Sequence, residues 1–178
     1  MEATRQDKTE TGPGSQNALD FLQADHRSVE KLFDAFKKAA DDDVEAKAAL
    51  AQRTCEALSI HTMIEEELLY PAAREALPDG DALDVEGAYI EHFLVKTLIA
   101  KFETMKVGDK GFDATFKVMS EMVLRHVEEE ETQLFPELRN SKCDLRALGD
   151  KLAERKTELQ SKLDAVGSRS VGDKTPML

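Results

Sequence analysis

Four histidines and two glutamates carry the chemistry that can be read from this chain. His61 and Glu65 stand four residues apart, and so do His126 and Glu130. In a helix that spacing sets two side chains about one turn apart on one face. Each pair therefore offers an imidazole nitrogen and a carboxylate oxygen to a common point, the donor set of a transition-metal site. The pairs open two copies of one longer pattern, His61-Thr-Met-Ile-Glu65-Glu-Glu-Leu-Leu-Tyr70-Pro71 and His126-Val-Glu-Glu-Glu130-Glu-Thr-Gln-Leu-Phe135-Pro136. Histidine, two glutamates, leucine, an aromatic and proline coincide in register.

The duplication reaches further back. Asp25-His26 is followed by Val29, Leu32 and Phe33, and Glu91-His92 by Val95, Leu98 and Ile99, at the same offsets. His26 lies 35 residues before His61, and His92 lies 34 before His126. The chain reads as two copies of one helical hairpin. Two copies are too few for a solenoid, so the expectation is a pseudo-twofold bundle.

The elements that must position these residues follow from apolar spacing. Leu19, Leu22, His26, Val29, Phe33 and Phe36 form a 3-4 stripe, which predicts a first helix over about 16–39. A second runs from about Val44, after the cap candidates Asp41-Asp42-Asp43, with Ala51, Cys55, Leu58, His61, Glu65 and Leu68 inward. Pro71 is expected to end or kink it, and Pro78-Asp79-Gly80 to stop the chain's helical course. A third helix spans about 83–105, with Val85, Tyr89, His92, Val95, Ile99 and Phe102 inward. A fourth starts near Phe112 with Phe116, Met119, Val123, His126, Glu130 and Leu134, and Pro136 interrupts it.

A fifth helix, 142–166, has no repeat partner and no metal-type residues; Leu145, Leu148, Leu152, Leu159, Leu163 and Val166 mark its stripe. Short connections make neighbouring helices antiparallel. The expected fold is all-α: an up-down-up-down four-helix bundle over 16–138 with an additional C-terminal helix, between disordered tails at 1–15 and 167–178. His26 and His61 flank their turn symmetrically, as do His92 and His126. All four histidines and both glutamates should thus meet at one level of the core.

Composition bounds the function. A length of 178 residues suits one domain. A net charge of −12 disfavours nucleic acid, whose phosphates call for clustered Lys and Arg, and an acidic membrane surface. The polar start carries no secretory signal and no apolar run approaches a membrane span, so a cytoplasmic protein is expected. Cys55 and Cys143 are expected to remain thiols.

A buried ionised carboxylate without a partner costs several kcal/mol, and one metal centre answers both glutamates. Six mixed ligands without cysteine exceed a tetrahedral structural zinc site, and magnesium and calcium prefer oxygen donors. Imidazole with carboxylate suits iron or manganese, with zinc tolerated. Two ions fit best, His26 and His61 on one, His92 and His126 on the other, with Glu65 and Glu130 as bridges.

These residues resemble the hemerythrin-like (HHE cation-binding) family over about residues 16–138. Asp25-His26-Arg27, His61-x-x-x-Glu65-Glu66, Glu91-His92 and His126-x-x-x-Glu130-Glu131 carry the likeness, together with Leu69-Tyr70-Pro71 and Leu134-Phe135-Pro136. Ferritin-like di-iron proteins use Glu-x-x-His and more carboxylates instead. The resemblance implies two iron ions, with manganese or zinc as substitutes, bridged by an oxo, hydroxo or water oxygen. It implies a small ligand (O2, NO or peroxide) in sensing, detoxification or iron handling, in a monomer or homodimer. The alternatives are a catalase-like or oxidase enzyme at the same centre, or a metal-stabilised structural module.

Two departures bear on function. Oxygen carriers of the family have a fifth histidine four positions from the one on the third helix; the two such positions here are Ala88 and Lys96. Their last ligand is an aspartate five residues past its histidine, where this chain has Glu130 at four and Glu131 at five. Simple oxygen carriage is therefore not expected. Glu30, one turn past His26, and Glu66, Glu67, Glu128 and Glu129 read as solvated surface. Tyr89 reads as a hydrogen-bond donor to a ligand or as packed core, and Met63, Met105, Met119 and Met122 read as core filler.

Overall fold

The computed structural model describes residues 16–77 and 82–172. The elements are α1 (Ala18–Lys38), α2 (Val44–Ile64), a π turn (Glu65–Leu69), α3 (Tyr70–Ala76), α4 (Ala82–Phe102), α5 (Phe112–Glu129), a second π turn (Glu130–Leu134), α6 (Phe135–Asn140) and α7 (Leu145–Gly172). The described residues contain no strand. None of their helices is long and apolar enough to cross a membrane. The expected stop at 78–80 and the tail at 1–15 lie outside the described residues.

Local chemistry sets the helix ends. The side chain of Asn17 accepts from the backbone N–H groups of Leu19 and Asp20, and that of Asp43 from Ala46, satisfying donors that the first turn leaves open. Gly108 and Gly111 both adopt φ +92° in the turn before α5, a left-handed conformation that costs other residues energy. The buried side chain of Lys47 bridges Asp41 and Asp113 at 3.1 and 3.0 Å, tying this end of the bundle together.

The prolines interrupt the α-helices without ending the helical course. Helix does not break at Pro71 or Pro136; a π turn precedes each, and each proline sits in the first turn of the helix that follows. Proline lacks an N–H and crowds the carbonyl one turn back. Widening that turn to the i→i+5 pattern eases the crowding. The Tyr70 and Phe135 N–H groups reach back five residues to the carbonyls of Glu65 and Glu130. Pro71 has no N–H to continue the pattern to the Glu66 carbonyl, and the Tyr89 hydroxyl donates to that oxygen at 3.2 Å. The wide turn also rotates Tyr70 and Phe135 onto the buried face that holds Glu65 and Glu130.

Two apolar layers fill the bundle with the histidines between them. One contains Val29, Phe33, Phe36, Val95, Phe116 and Met119, with Phe36 stacked on Phe116 at 3.7 Å between centroids. The other contains Leu22, Ile64, Leu69, Tyr70, Phe135 and Leu152. Along α1 the order is Leu22, His26, Val29, and along α4 it is Ala88, His92, Val95, so each ligand candidate interrupts an otherwise apolar stripe. Of the methionines, Met119 is buried but Met63 is 39% exposed, because the inner stripe of α2 runs through His61 and Ile64 and leaves Met63 on the outside.

α7 packs along α1 and α2, contributing Leu148, Leu152 and Leu159 to the core. Leu163 is half exposed at the edge of a groove instead of buried. The helix continues to Gly172, past the expected end at 166. One glycine, Gly167, costs about 1 kcal/mol in a helix interior and does not stop it. The first turn of α7 presses on the start of α1: a Cβ at Gly149 would lie 2.3 Å from the Gln16 carbonyl oxygen and 2.8 Å from the Ala18 nitrogen. Gly149→Ala is expected to destabilise the fold by about 1–3 kcal/mol, the usual cost of overpacking, measured as a lower midpoint of thermal unfolding.

Candidate metal centre

The six residues singled out from the sequence converge. His26 comes from α1, His61 from α2, His92 from α4 and His126 from α5, while Glu65 and Glu130 are the first residues of the two π turns. All six are buried, Glu65 completely. His26, His61, Glu65 and Glu130 form one group whose ligand atoms lie mutually within 4.8 Å, and Glu65, His92 and His126 form a second. Glu65 belongs to both.

The distances describe one shared centre. Glu65 Oε2 lies 3.1 Å from His61 Nε2 and 3.4 Å from His92 Nε2, and Glu65 Oε1 lies 3.8 Å from His26 Nε2. Glu130 spans the same gap, with Oε2 at 3.4 Å from His26 Nε2 and Oε1 at 3.7 Å from His126 Nε2. The Nε2 atoms of His92 and His126 approach to 3.1 Å. Two imidazole nitrogens so close need a proton between them or a cation bound to both.

Carboxylates aim the imidazoles. His61 Nδ1 lies 3.0 Å from Asp25, His126 Nδ1 2.8 Å from Glu91, His26 Nδ1 2.8 Å from Glu131 and His92 Nδ1 3.1 Å from Glu66. An ionised carboxylate only accepts, so each Nδ1 carries the hydrogen and each Nε2 lone pair is directed into the cluster, the arrangement that orients metal-bound histidines. The first two dyads close within a hairpin, and the last two join one hairpin to the other. Every one of these carboxylates is held from outside by a cation: Asp25 by Lys156, Glu91 by Arg125, Glu131 by Arg27 and Glu66 by Lys96.

Glu66 is therefore not the solvated surface residue expected from the sequence. It is 22% exposed, because the π turn that brings Glu65 inward leaves Glu66 facing α4. The next glutamate, Glu67, does lie at the surface, where Arg155 of α7 grips it at 2.6 Å. Glu30 pairs with Arg27 and stays outside the cluster. Tyr89 serves the Glu66 backbone. Tyr70 was missed altogether: its hydroxyl lies 3.0 Å from Glu130 Oε1, 3.1 Å from His92 Nε2 and 3.4 Å from His126 Nε2. The coincidence of Tyr70-Pro71 and Phe135-Pro136 in the repeat was its only sequence signal. At the equivalent place Phe135 has no hydroxyl and stacks on His26 at 5.8 Å.

The donor set fits a metal. The Nε2 atoms of His26 and His61, both oxygens of Glu65 and Oε2 of Glu130 are buried without a hydrogen-bond partner, and all belong to the one cluster. Buried polar atoms are nearly always satisfied, so five orphans facing one spot mark a place for cations. Without a cation, protons must balance the glutamates. Burial alone would lower the pKa of His26, but Glu130 and Glu65 outweigh it and raise it to about 11. Burial opposes the charge of His126 likewise, and Glu130 and Glu91 lift it to about 9. Burial would raise the Glu65 carboxyl, yet His61, His26 and His92 hold it well below the usual range.

A profile of the Hemerythrin HHE cation binding domain matches residues 17–138. The chain belongs to this family. The match ends before α7. The fold resembles the crystal structure of an HHE cation binding domain-containing protein from Mycobacterium kansasii, at a TM-score of 0.70 and 23% identity over 83% of this chain and 89% of that one. Among curated proteins it is similar to one from Nostoc named DNA nickase, 26% identical over 125 residues, and to an uncharacterized hemerythrin-like protein of Schizosaccharomyces pombe, 28% identical over 117 residues. Those matches cover 70% and 66% of this chain but only 34% and 57% of the relatives.

Two outcomes follow from the geometry. A folded state that binds protons more tightly than the unfolded chain loses stability as pH rises. With His26 and His126 lifted above the ordinary 6.5, the thermal midpoint of chelator-stripped HHE protein should fall from pH 6.5 towards 9. Metal loading displaces those protons, so the loaded protein should show no such fall. Separately, Lys156→Met removes the cation behind Asp25 and should speed metal loss to a chelator by about 10-fold, in the range for outer-shell partners. Lys156→Arg should restore the slow rate.

Proposed function

We propose that this chain is a non-haem di-iron protein in which His26, His61, His92 and His126 hold two ions, Glu65 and Glu130 bridge them, and a small oxidant or diatomic ligand (O2, NO or peroxide) is bound. The observation that carries this reading is a cavity of about 140 Å³ beside the cluster, lined by Ala88, Glu91, His126 and Glu130 among others. Pockets for organic ligands run to about 300–1,000 Å³; this one suits a few waters or a diatomic. It opens where Ala88, one turn before His92, has only a methyl group. That is one of the two positions available to the fifth histidine of the oxygen carriers.

Bound iron would supply redox and Lewis-acid chemistry at open coordination positions. The chain's own residues supply the rest. The two apolar layers exclude water from the imidazoles. The four outer carboxylates fix the tautomers. Tyr70 keeps its phenolic proton, because burial and the charges of Glu130 and Glu65 raise its pKa well above the ordinary value, so its hydroxyl stays a donor beside Glu130 Oε1. A proton donor in this position also supports the catalase-like alternative. The net charge of −12 supports a small-molecule ligand over nucleic acid.

Metal analysis of protein purified without added metal, followed by visible spectra with oxygen, nitric oxide and peroxide, separates the readings. Two irons that respond to ligand without turnover are expected for a binding or sensing protein. Rapid oxygen evolution from peroxide would assign the enzyme. One zinc and no spectral response would leave only a structural module. Ala88→Leu should retain both irons while slowing ligand association at least about 10-fold by filling the cavity. Unchanged rates would rule this cavity out as the path.

A further inference from the structure

Helix α4 is apolar on two faces. One packs into the core through Val85, His92, Val95 and Ile99; the other faces outward with Ile90, Phe93 and Leu94 exposed at 63, 64 and 44%. A helix that is hydrophobic all round is normally buried. The remaining large exposed hydrophobics among the described residues are spread singly over α2, α5 and α7, which is ordinary for a surface. The additional helix α7 packs along α1 and α2.

The outward face has an internal symmetry. A twofold axis through the midpoint between Phe93 and Leu94 sets α4 antiparallel to a second α4. Phe93 then meets Leu94, Ile90 meets Thr97, and Gly87 meets Ala100, so the large apolar side chains cluster at the axis and the small ones let the helices approach towards the ends. At each end Glu86, which is paired with Arg74 of its own chain and still well exposed, meets Lys101. All eight residues are exposed, and their 3-4 spacing is the seam of a two-helix contact. An isologous interface requires this property, a patch complementary to itself.

We infer that α4 pairs with α4 of a second copy of this chain, antiparallel, about an axis at Phe93 and Leu94. An apolar centre that faces itself and opposite charges that meet at both ends select a second copy over a different partner, which would need neither. Twenty-one residues of helix give a seam about 30 Å long. One helix pair falls at the small end of specific interfaces, below about 1,200 Å², so the dimer forms and dissociates with concentration. The inference does not depend on which metal the centre holds.

Analytical ultracentrifugation of the full chain over a concentration series tests it. The expected result is a shift from the 19.8 kDa chain mass to twice that value. Phe93→Glu should hold the protein at the chain mass. Leu94→Lys does the same should Phe93→Glu disturb the neighbouring His92. Glu86→Lys and Lys101→Glu, each alone, should weaken association about 5- to 10-fold, and the double variant should recover most of that loss. A single species at chain mass at every concentration overturns the proposal. So does a dimer that survives both Phe93→Glu and Leu94→Lys, and a double variant no tighter than the singles overturns the register.

Discussion

Two carboxylates in the middle of a helical bundle are the constraint to which the rest of this structure answers. Glu65 is 0% and Glu130 3% exposed, and an ion moved into a protein interior costs several kcal/mol even after relaxation. The response is organised in shells. Around the glutamates stand four imidazoles, which take protons or share a cation. Around the imidazoles stand Asp25, Glu66, Glu91 and Glu131, and outside these stand Lys156, Lys96, Arg125 and Arg27. Charge alternates from the centre to solvent. The net charge of −12 conceals this order, since at the centre negative groups are locally answered at each radius.

The same shells hold the fold together. Apolar layers above and below the cluster bury area but do not by themselves select which hairpin faces which. The dyads from His26 to Glu131 and from His92 to Glu66 run between hairpins, so the cluster is complete only where the two repeats dock. A metal ion at the centre would add its binding free energy to that of folding.

Much of this was legible in the residues. Histidines interrupting apolar 3-4 stripes, a glutamate four residues on, and duplication at about 65 residues led to a bundle, a level and six candidate ligands. The outer carboxylates were equally present in the repeat, as the residue before His26 and His92 and the residue after Glu65 and Glu130. They were passed over because a straight α-helix points them at solvent. Tyr70 was lost for the same reason: five residues past Glu65 is the wrong side of an α-helix and the right side of a π turn. Proline ten residues after each histidine was the available sign of that turn. Lys156 could not be read locally at all, since its partner Asp25 is 131 residues away.

Symmetry between the halves fails at Tyr70 against Phe135 and in the cations, where Arg27 and Lys96 stand at different offsets from their histidines and Lys156 answers Arg125; the last has an architectural meaning. Three of the four cations that complete the shells belong to residues 17–138, the extent of the family's shared domain. The fourth comes from α7, outside it. The end of the family match therefore falls inside the electrostatic unit of this protein. This chain cut at residue 138 would lose the cation behind Asp25, and a gene fusion placed there would inherit an incomplete set of charges.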